Sequence, residues 1–215
     1  MDARLIALSG IDGAGKSTQI SLLTQHIKSQ GKSVKYLWTR GGSTYFFNTI
    51  KATLRIIAKK KLPPQGHSKR RDEMFKSNFI RTTWLYLAIA DLILVYSIYI
   101  RWNILRNKVV ICDRYIWDTL IDFKLSFPEI NIEKKIIWKI LETLTPIPDK
   151  YLLLTIPSEM SEFRCSQKYD PFPDTEETRI KRYKLYEEEF NSNRWLLINA
   201  EKPIESVFQD ILEKL

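Results

Sequence analysis

Near the start of the chain, Gly10-Ile11-Asp12-Gly13-Ala14-Gly15-Lys16-Ser17 meets every fixed position of the pattern G-x-x-x-x-G-K-[ST]. These residue types at this spacing make a cradle for phosphate. Glycines without a Cβ let backbone N–H groups close around phosphate oxygens. A helix beginning near Lys16 turns the positive end of its dipole toward the anion. Lys16 is placed to bridge β- and γ-phosphates, Ser17 to hold Mg²⁺, and Thr18 to reach the α-phosphate. A chance glycine-rich turn would have to fall at the first strand-to-helix junction of an alternating chain.

Two further clusters follow strands. Val109-Val110-Ile111-Cys112 is an apolar run that delivers Asp113-Arg114-Tyr115 at its C-terminal end, the edge at which ligands bind in open α/β sheets. An aspartate there can order Mg²⁺ and its waters, and an arginine can clamp a phosphate through two parallel hydrogen bonds. At the end of another strand stand Trp38-Thr39-Arg40-Gly41-Gly42. Two arginines from two strand ends, facing the cradle, make a second anion site beside the first. That arrangement favours phosphoryl transfer to an acceptor over hydrolysis. The N-K-x-D pattern that reads guanine in GTPases is absent from the C-terminal half.

The elements that must position these residues are legible from periodicity. Strands are expected over Arg4–Ser9, Val34–Trp38, Lys108–Cys112, Tyr151–Ile156 and Trp195–Asn199. Helices are expected from Lys16 to about Gln30, within Tyr45–Ala58, from about Asp72 to Arg106, near Tyr115–Ser126 and Ile132–Thr145, and over Ile204–Leu215. Another charged helix begins at Asp174, with Glu177 in capping-box position. The alternation predicts an α/β fold of three layers, with a parallel five-stranded sheet between helices. No linker or repeat divides residues 1–215, so one domain is expected.

The bulk properties fit. A chain of 215 residues with 44% hydrophobic and 27% charged residues is an ordinary globular sequence. Its net charge of +9 points to an anionic partner. Lys59–Arg71 is basic, but no aromatics are interleaved with it, so polynucleotide binding is not expected. Thr82–Ile100 is almost wholly apolar or aromatic, yet Asp91 lies at its centre, and we read it as a core helix without a membrane partner. Cys112 and Cys165 form no metal or disulfide pattern, and the N-terminus has no signal-peptide layout. A cytoplasmic location is the expectation.

On Asp12-Gly13-Ala14-Gly15-Lys16-Ser17-Thr18, Thr39-Arg40-Gly41-Gly42, Asp113-Arg114-Tyr115 and the tail Trp195–Val207, the chain resembles the thymidylate kinase family of P-loop nucleoside monophosphate kinases along nearly its whole length. The resemblance implies ATP as phosphoryl donor, Mg²⁺ as cofactor, and a nucleoside monophosphate, most directly dTMP, as acceptor. Gly10, Asp12, Gly13, Ala14, Gly15, Lys16, Ser17 and Thr18 would hold the donor, with Asn199, Ala200 and Pro203 against adenine. Arg40 and Arg114 would hold the acceptor phosphate, with Asp12 near its sugar and Tyr115 beside it. Ser17 and Asp113 would organise the metal, and Lys16, Asp113, Arg114 and Arg164 would carry the catalysis.

Ser158–Pro173 takes the place of the family's lid, with Arg164 closing over the phosphates and Lys168 a weaker counterpart. Arg179 and Arg182 on the next helix are expected to be solvated. Members often pair through long apolar helices, which makes a homodimer an expectation here. The sequence departs from the family where Thr-Arg-Glu-Pro-Gly-Gly is shortened to Thr39-Arg40-Gly41-Gly42, and where Ile116-Trp117-Asp118-Thr119 replaces small polar residues. The family's thymine-stacking aromatic and thymine-reading arginine fall near Ala88 and Leu92, so Tyr86 and Asp91 are the nearest candidates to meet an acceptor. Other nucleotides, phosphorylated sugars, or a purely nucleotide-binding regulatory role are the alternatives.

Overall fold

Five short apolar runs pair into one parallel sheet, ordered β2-β3-β1-β4-β5. The computed structural model describes residues 3–39, 77–167, 175–190 and 192–215. The expected helix within Tyr45–Ala58, the basic loop Lys59–Gly66, and Arg40, Gly41, Gly42, Lys168 and Asp174 lie outside the described residues. The strands are β1 (Leu5–Gly10), β2 (Ser33–Trp38), β3 (Lys108–Asp113), β4 (Lys150–Thr155) and β5 (Leu196–Asn199). All six residues of the central β1 are buried, as a strand covered on both faces requires.

The alternation of side chains along β1 and β3 explains the layers. Ile6, Leu8, Val109 and Ile111 face one core, shared with Ile20, Leu23 and Ile27 of α1 (Lys16–Ser29). Leu5, Ala7, Val110 and Cys112 face the other core, shared with Leu85, Ala88, Ile89 and Leu92. Those four belong to α2, a continuous helix over Asn78–Leu105 whose Leu94–Ile100 stretch is wound as π-helix. Then come α3 (Ile116–Ser126) and α4 (Ile136–Leu144), which is preceded by a 3₁₀ turn at Ile132–Lys134. The C-terminal part adds α5 (Ser158–Ser166), α6 (Glu176–Phe190) and α7 (Ile204–Lys214).

Three expectations change. The helix read as apolar all round because it is central instead covers one face of the sheet, so its outer stripe is left out: Ile98 is 62% exposed, Trp102 56% and Leu105 79%. It is long and apolar enough to cross a membrane by length and composition alone, but its inner face is packed on the sheet. The polar stretch Ser158–Pro173, read as a lid segment with no helix assigned to it, is helical over Ser158–Ser166, with Pro157 in an extended conformation at its start. The start of α6 is capped by Thr175, whose Oγ1 accepts a 3.3 Å hydrogen bond from the Thr178 N–H.

Register places the chemistry. Leu8 of β1 and Trp38 of β2 both stand level with Asp113, and Gly10 stands level with Leu154. The phosphate-cradle sequence, Thr39 and Asp113-Arg114 therefore leave the sheet at one edge.

Candidate active site

The turn from β1 into α1 is built around glycine. Gly10 has φ +140°, and a Cβ there would lie 2.5 Å from the carbonyl oxygen of Leu154 on the neighbouring strand. Gly13, at φ +82°, lies under α5, where a Cβ would come within 3.0 Å of the Ser161 carbonyl oxygen. Glycine is required at both places by close backbone approach as well as by conformation. Lys16 folds back over this turn. Its buried Nζ donates to the carbonyls of Gly10 and Ile11, each at 2.8 Å, and lies 3.8 Å from Asp12 Oδ1. Burial, with the nearby Arg114 adding to it, lowers its pKa from 10.5 to about 8.

At the end of β3 the carboxylate of Asp113 is buried. Oδ2 accepts from the Tyr36 hydroxyl at 3.1 Å, and Oδ1 is buried with no hydrogen-bond partner among the described residues. Arg114 follows with φ +70°, a left-handed conformation that costs a non-glycine residue on the order of 1 kcal/mol or more. Its backbone is tied on both sides. The N–H donates to Leu8 O at 2.9 Å, and the carbonyl accepts from Thr39 Oγ1 at 2.9 Å. Its side chain is buried too, with Nη2 on Asp12 Oδ1 at 2.5 Å and Nη1 on the Tyr186 hydroxyl at 3.4 Å. The guanidinium therefore sits directly beside the phosphate cradle, joined to it through Asp12.

The other side of the cradle is closed by α5. Ser161 Oγ donates to Asp12 O at 2.6 Å, and Arg164 Nη1 donates to Gly13 O at 3.3 Å and Ala200 O at 3.1 Å. The tail loop is held as well, because Gln19 Nε2 on α1 donates to Ile204 O at 3.0 Å. These elements enclose a cavity of about 430 Å³, whose lining includes Gly15, Thr18, Arg164, Ala200 and Lys202. Its size suits a nucleoside running away from the phosphate cradle.

The expected residues thus divide. Gly10, Asp12, Gly13, Ala14, Gly15, Lys16, Asp113 and Arg114 are brought together, and Ser17 and Thr18 lie exposed on the first turn of α1. Ala200 lines the cavity, while Asn199 turns its Oδ1 to the Glu201 N–H at 2.9 Å and Pro203 precedes α7. Arg164 is spent on loop carbonyls at the cavity rather than extended over the cradle. Tyr115 is a core residue. Its ring lies 4.6 Å from that of Tyr96, and its hydroxyl donates to Pro146 O at 2.9 Å. Tyr86 is 38% exposed and Asp91 only 2%, on different faces of α2, so they do not form one contact surface. Arg40 lies outside the described residues.

Arg182 contradicts the expectation of a solvated side chain. It is buried in an ion pair with Asp122 of α3, because α6 packs across α3. Arg179 is half-exposed, 3.5 Å from Glu162. Four polar residues at this edge were not singled out by sequence: Tyr36, Asp118, Asp122 and Tyr186. Of these only Asp118 carried a local signal, three residues beyond Tyr115, where a carboxylate caps a helix. Its Oδ2 accepts from the Tyr115 N–H at 2.8 Å.

Comparison with known proteins agrees with this geometry. The family model described as thymidylate kinase matches residues 8–211. A thymidylate kinase of Plasmodium falciparum is 25% identical over 212 residues, covering 99% of this chain and 89% of the relative. A probable thymidylate kinase of Methanosphaera stadtmanae is 31% identical over 211 residues, covering 95% and 93%. Another, from Archaeoglobus fulgidus, is 27% identical over 213 residues, covering 96% and 92%.

Proposed function

The chain belongs to the thymidylate kinase family, and from that premise we propose that it transfers the γ-phosphoryl group of ATP to dTMP, giving dTDP and ADP, at the cradle between α1, β3 and α5. The observation that carries this reading is Arg114, a buried cation 2.5 Å from the Asp12 carboxylate of the cradle. One anion site lies on the loop and a second lies beside it, the arrangement a donor and a phosphorylated acceptor need for in-line transfer.

In this reading the N–H groups of the loop and Lys16 hold the donor phosphates, and Arg114, with Arg40, orients the acceptor phosphate. Asp12 lies beside the acceptor sugar. Arg164 and Ala200 close the donor cavity, which sets Arg164 on the donor side. Tyr36 steadies Asp113 by its hydroxyl. The residues present fit Mg²⁺, since Asp113 Oδ1 is buried without a partner among the described residues and Ser17 opens the first turn of α1. When bound, the metal neutralises charge on the β- and γ-phosphate oxygens.

Ala88 and Leu92 are buried in the core beneath α2, so neither can supply the thymine contacts of the family from those positions. Other acceptors are therefore part of the test. Coupled ADP release with Mg·ATP, run against dTMP, dUMP, UMP, CMP, AMP, GMP and sugar phosphates, is expected to show highest turnover with dTMP and none after chelation by EDTA. Preference for a different acceptor would keep the transfer and replace its substrate. No turnover with any acceptor would reject the reading in favour of nucleotide binding alone.

The outer stripe of α2 supports a homodimer through this helix. Leu94, Ile98, Trp102 and Leu105 lie exposed at helical spacing, an apolar surface suited to a second copy of the chain. Sedimentation is expected to give a dimer at micromolar concentration and a monomer for Trp102→Glu. A monomeric unsubstituted chain would remove the proposal.

A further inference from the structure

Helices α3 and α6 are joined by two polar rungs. Asp118 and Asp122 stand one turn apart on α3, and Arg182 and Tyr186 stand one turn apart on α6. They pair in reverse order, the Tyr186 hydroxyl with Asp118 Oδ1 and Arg182 with Asp122 Oδ1. All four residues are buried. The inner rung goes further. Asp118 Oδ2 also accepts from Ser9 Oγ at the end of β1 and from the Tyr115 N–H, while the Tyr186 oxygen accepts from Arg114 Nη1. A single chain of hydrogen bonds therefore runs from Ser9 through Asp118, Tyr186 and Arg114 to Asp12 of the cradle.

The chemistry of each link is directional. Three donors converge on the Asp118 carboxylate, which can accept them all only as a hydrogen-bond acceptor on both oxygens. Burial pushes the Tyr186 hydroxyl well above its ordinary pKa, and the neighbouring Asp118 adds to this, so the phenol stays protonated. Its proton is committed to Asp118, and its lone pair is thereby offered to Arg114. An arginine has a long side chain with several rotamers, and in a buried site its fork can be aimed only by groups that fix its N–H vectors. Here those groups are Asp12 on one nitrogen and Tyr186 on the other.

We propose that Tyr186, with its hydroxyl oriented by Asp118, is a positioning residue that aims the Arg114 guanidinium at the acceptor phosphate. The inference rests on the reading of Arg114 as the acceptor-phosphate ligand. It also means that α6 takes part in setting the acceptor site through the Tyr186 side chain. A hydroxyl is needed for this role, and a ring of the same size without one keeps the packing but loses the aim.

Steady-state kinetics of the full-length chain test it, with acceptor and ATP varied separately. Tyr186→Phe is expected to raise the KM for dTMP, or for whichever acceptor is turned over, about tenfold, the size of one lost hydrogen bond to a charged group. The KM for ATP should stay within about twofold of the original. In an Arg114→Lys background, whose lysine cannot use the fork, the same substitution should add nothing, because residues that act through one another are not additive. An equal rise in both KM values, or a full additional effect in the Arg114→Lys background, would overturn the proposal. Should Tyr186→Phe fail to accumulate as folded protein, Asp118→Asn carries the same expectation and the same rejecting outcomes. The two readings separate cleanly. If Arg114→Lys itself leaves the acceptor KM unchanged, the assignment of Arg114 fails. If it raises that KM while Tyr186→Phe does not, only the positioning role fails.

Discussion

Replacing Arg114 with alanine is expected to lower kcat/KM for the acceptor by about 10³-fold, within the range seen when a preorganised cationic donor is removed from phosphoryl transfer. The expectation follows from where the side chain is. Its guanidinium is buried, so it acts in a medium where charge is weakly screened, and it is already held beside the cradle by Asp12. A solvated arginine at the same distance would be worth far less. The variant also strips Asp12 of the ion pair with Arg114, so part of the loss will come from the loop. The comparison that separates these effects is ATP binding, measured without acceptor. Tight ATP binding with transfer abolished would identify Arg114 with the acceptor, as would the converse result for Lys16→Ala, in which donor affinity falls too. Turnover in Arg114→Ala within tenfold of the original would exclude the site.

The second large effect concerns folding. Gly10→Ala is expected to leave little or no folded protein, at a cost of several kcal/mol, against a total stability of about 5–15 kcal/mol for a domain of ordinary size. The new methyl would stand 2.5 Å from the Leu154 carbonyl oxygen. That oxygen belongs to a strand hydrogen-bonded on both sides, β4 lying between β1 and β5, so it cannot retreat without parting the sheet. The backbone at φ +140° adds strain of its own. Gly15→Ala is the control. At φ +86° it meets the conformational strain, yet a Cβ there has nothing within 4 Å, so a loss of about 1–2 kcal/mol is expected. Soluble yield and thermal midpoints check both. Equal midpoints for Gly10→Ala and the unsubstituted chain would show that the strands part more easily than this packing implies.

What the sequence made legible was whatever depends on neighbours along the chain. The run from Leu5 to Ser17 declares a strand, a glycine turn and a helix start by composition alone, and the structure has them within one residue of expectation. The alternation of strands and helices likewise led to a parallel sheet. Distant pairings carried no such signal. Nothing local distinguishes Tyr186 or Arg182 from the charged and aromatic residues around them on α6. Their burial follows only from α3 crossing that helix. Tyr36 sits half-exposed on an edge strand, where a tyrosine is unremarkable, and its meaning comes from Asp113 one strand over. Tyr115 shows the reverse error. It adjoins Arg114 in sequence, but Arg114 turns the chain through a left-handed conformation after β3 and Tyr115 caps α3, and its ring lies in the core with Tyr96 and Tyr151.

The fold-back of Lys16 onto the carbonyls of Gly10 and Ile11 has a consequence for the entropy of binding. A glycine-rich loop left open would have to give up backbone freedom on meeting a nucleotide, and each immobilised residue would subtract from affinity. Here the ammonium acts as an internal tie and closes the ring before any ligand arrives, while Ser161 and Arg164 fasten it from α5. The ordering cost has been met during folding, so an incoming phosphate need only take over hydrogen bonds that the loop was making to itself.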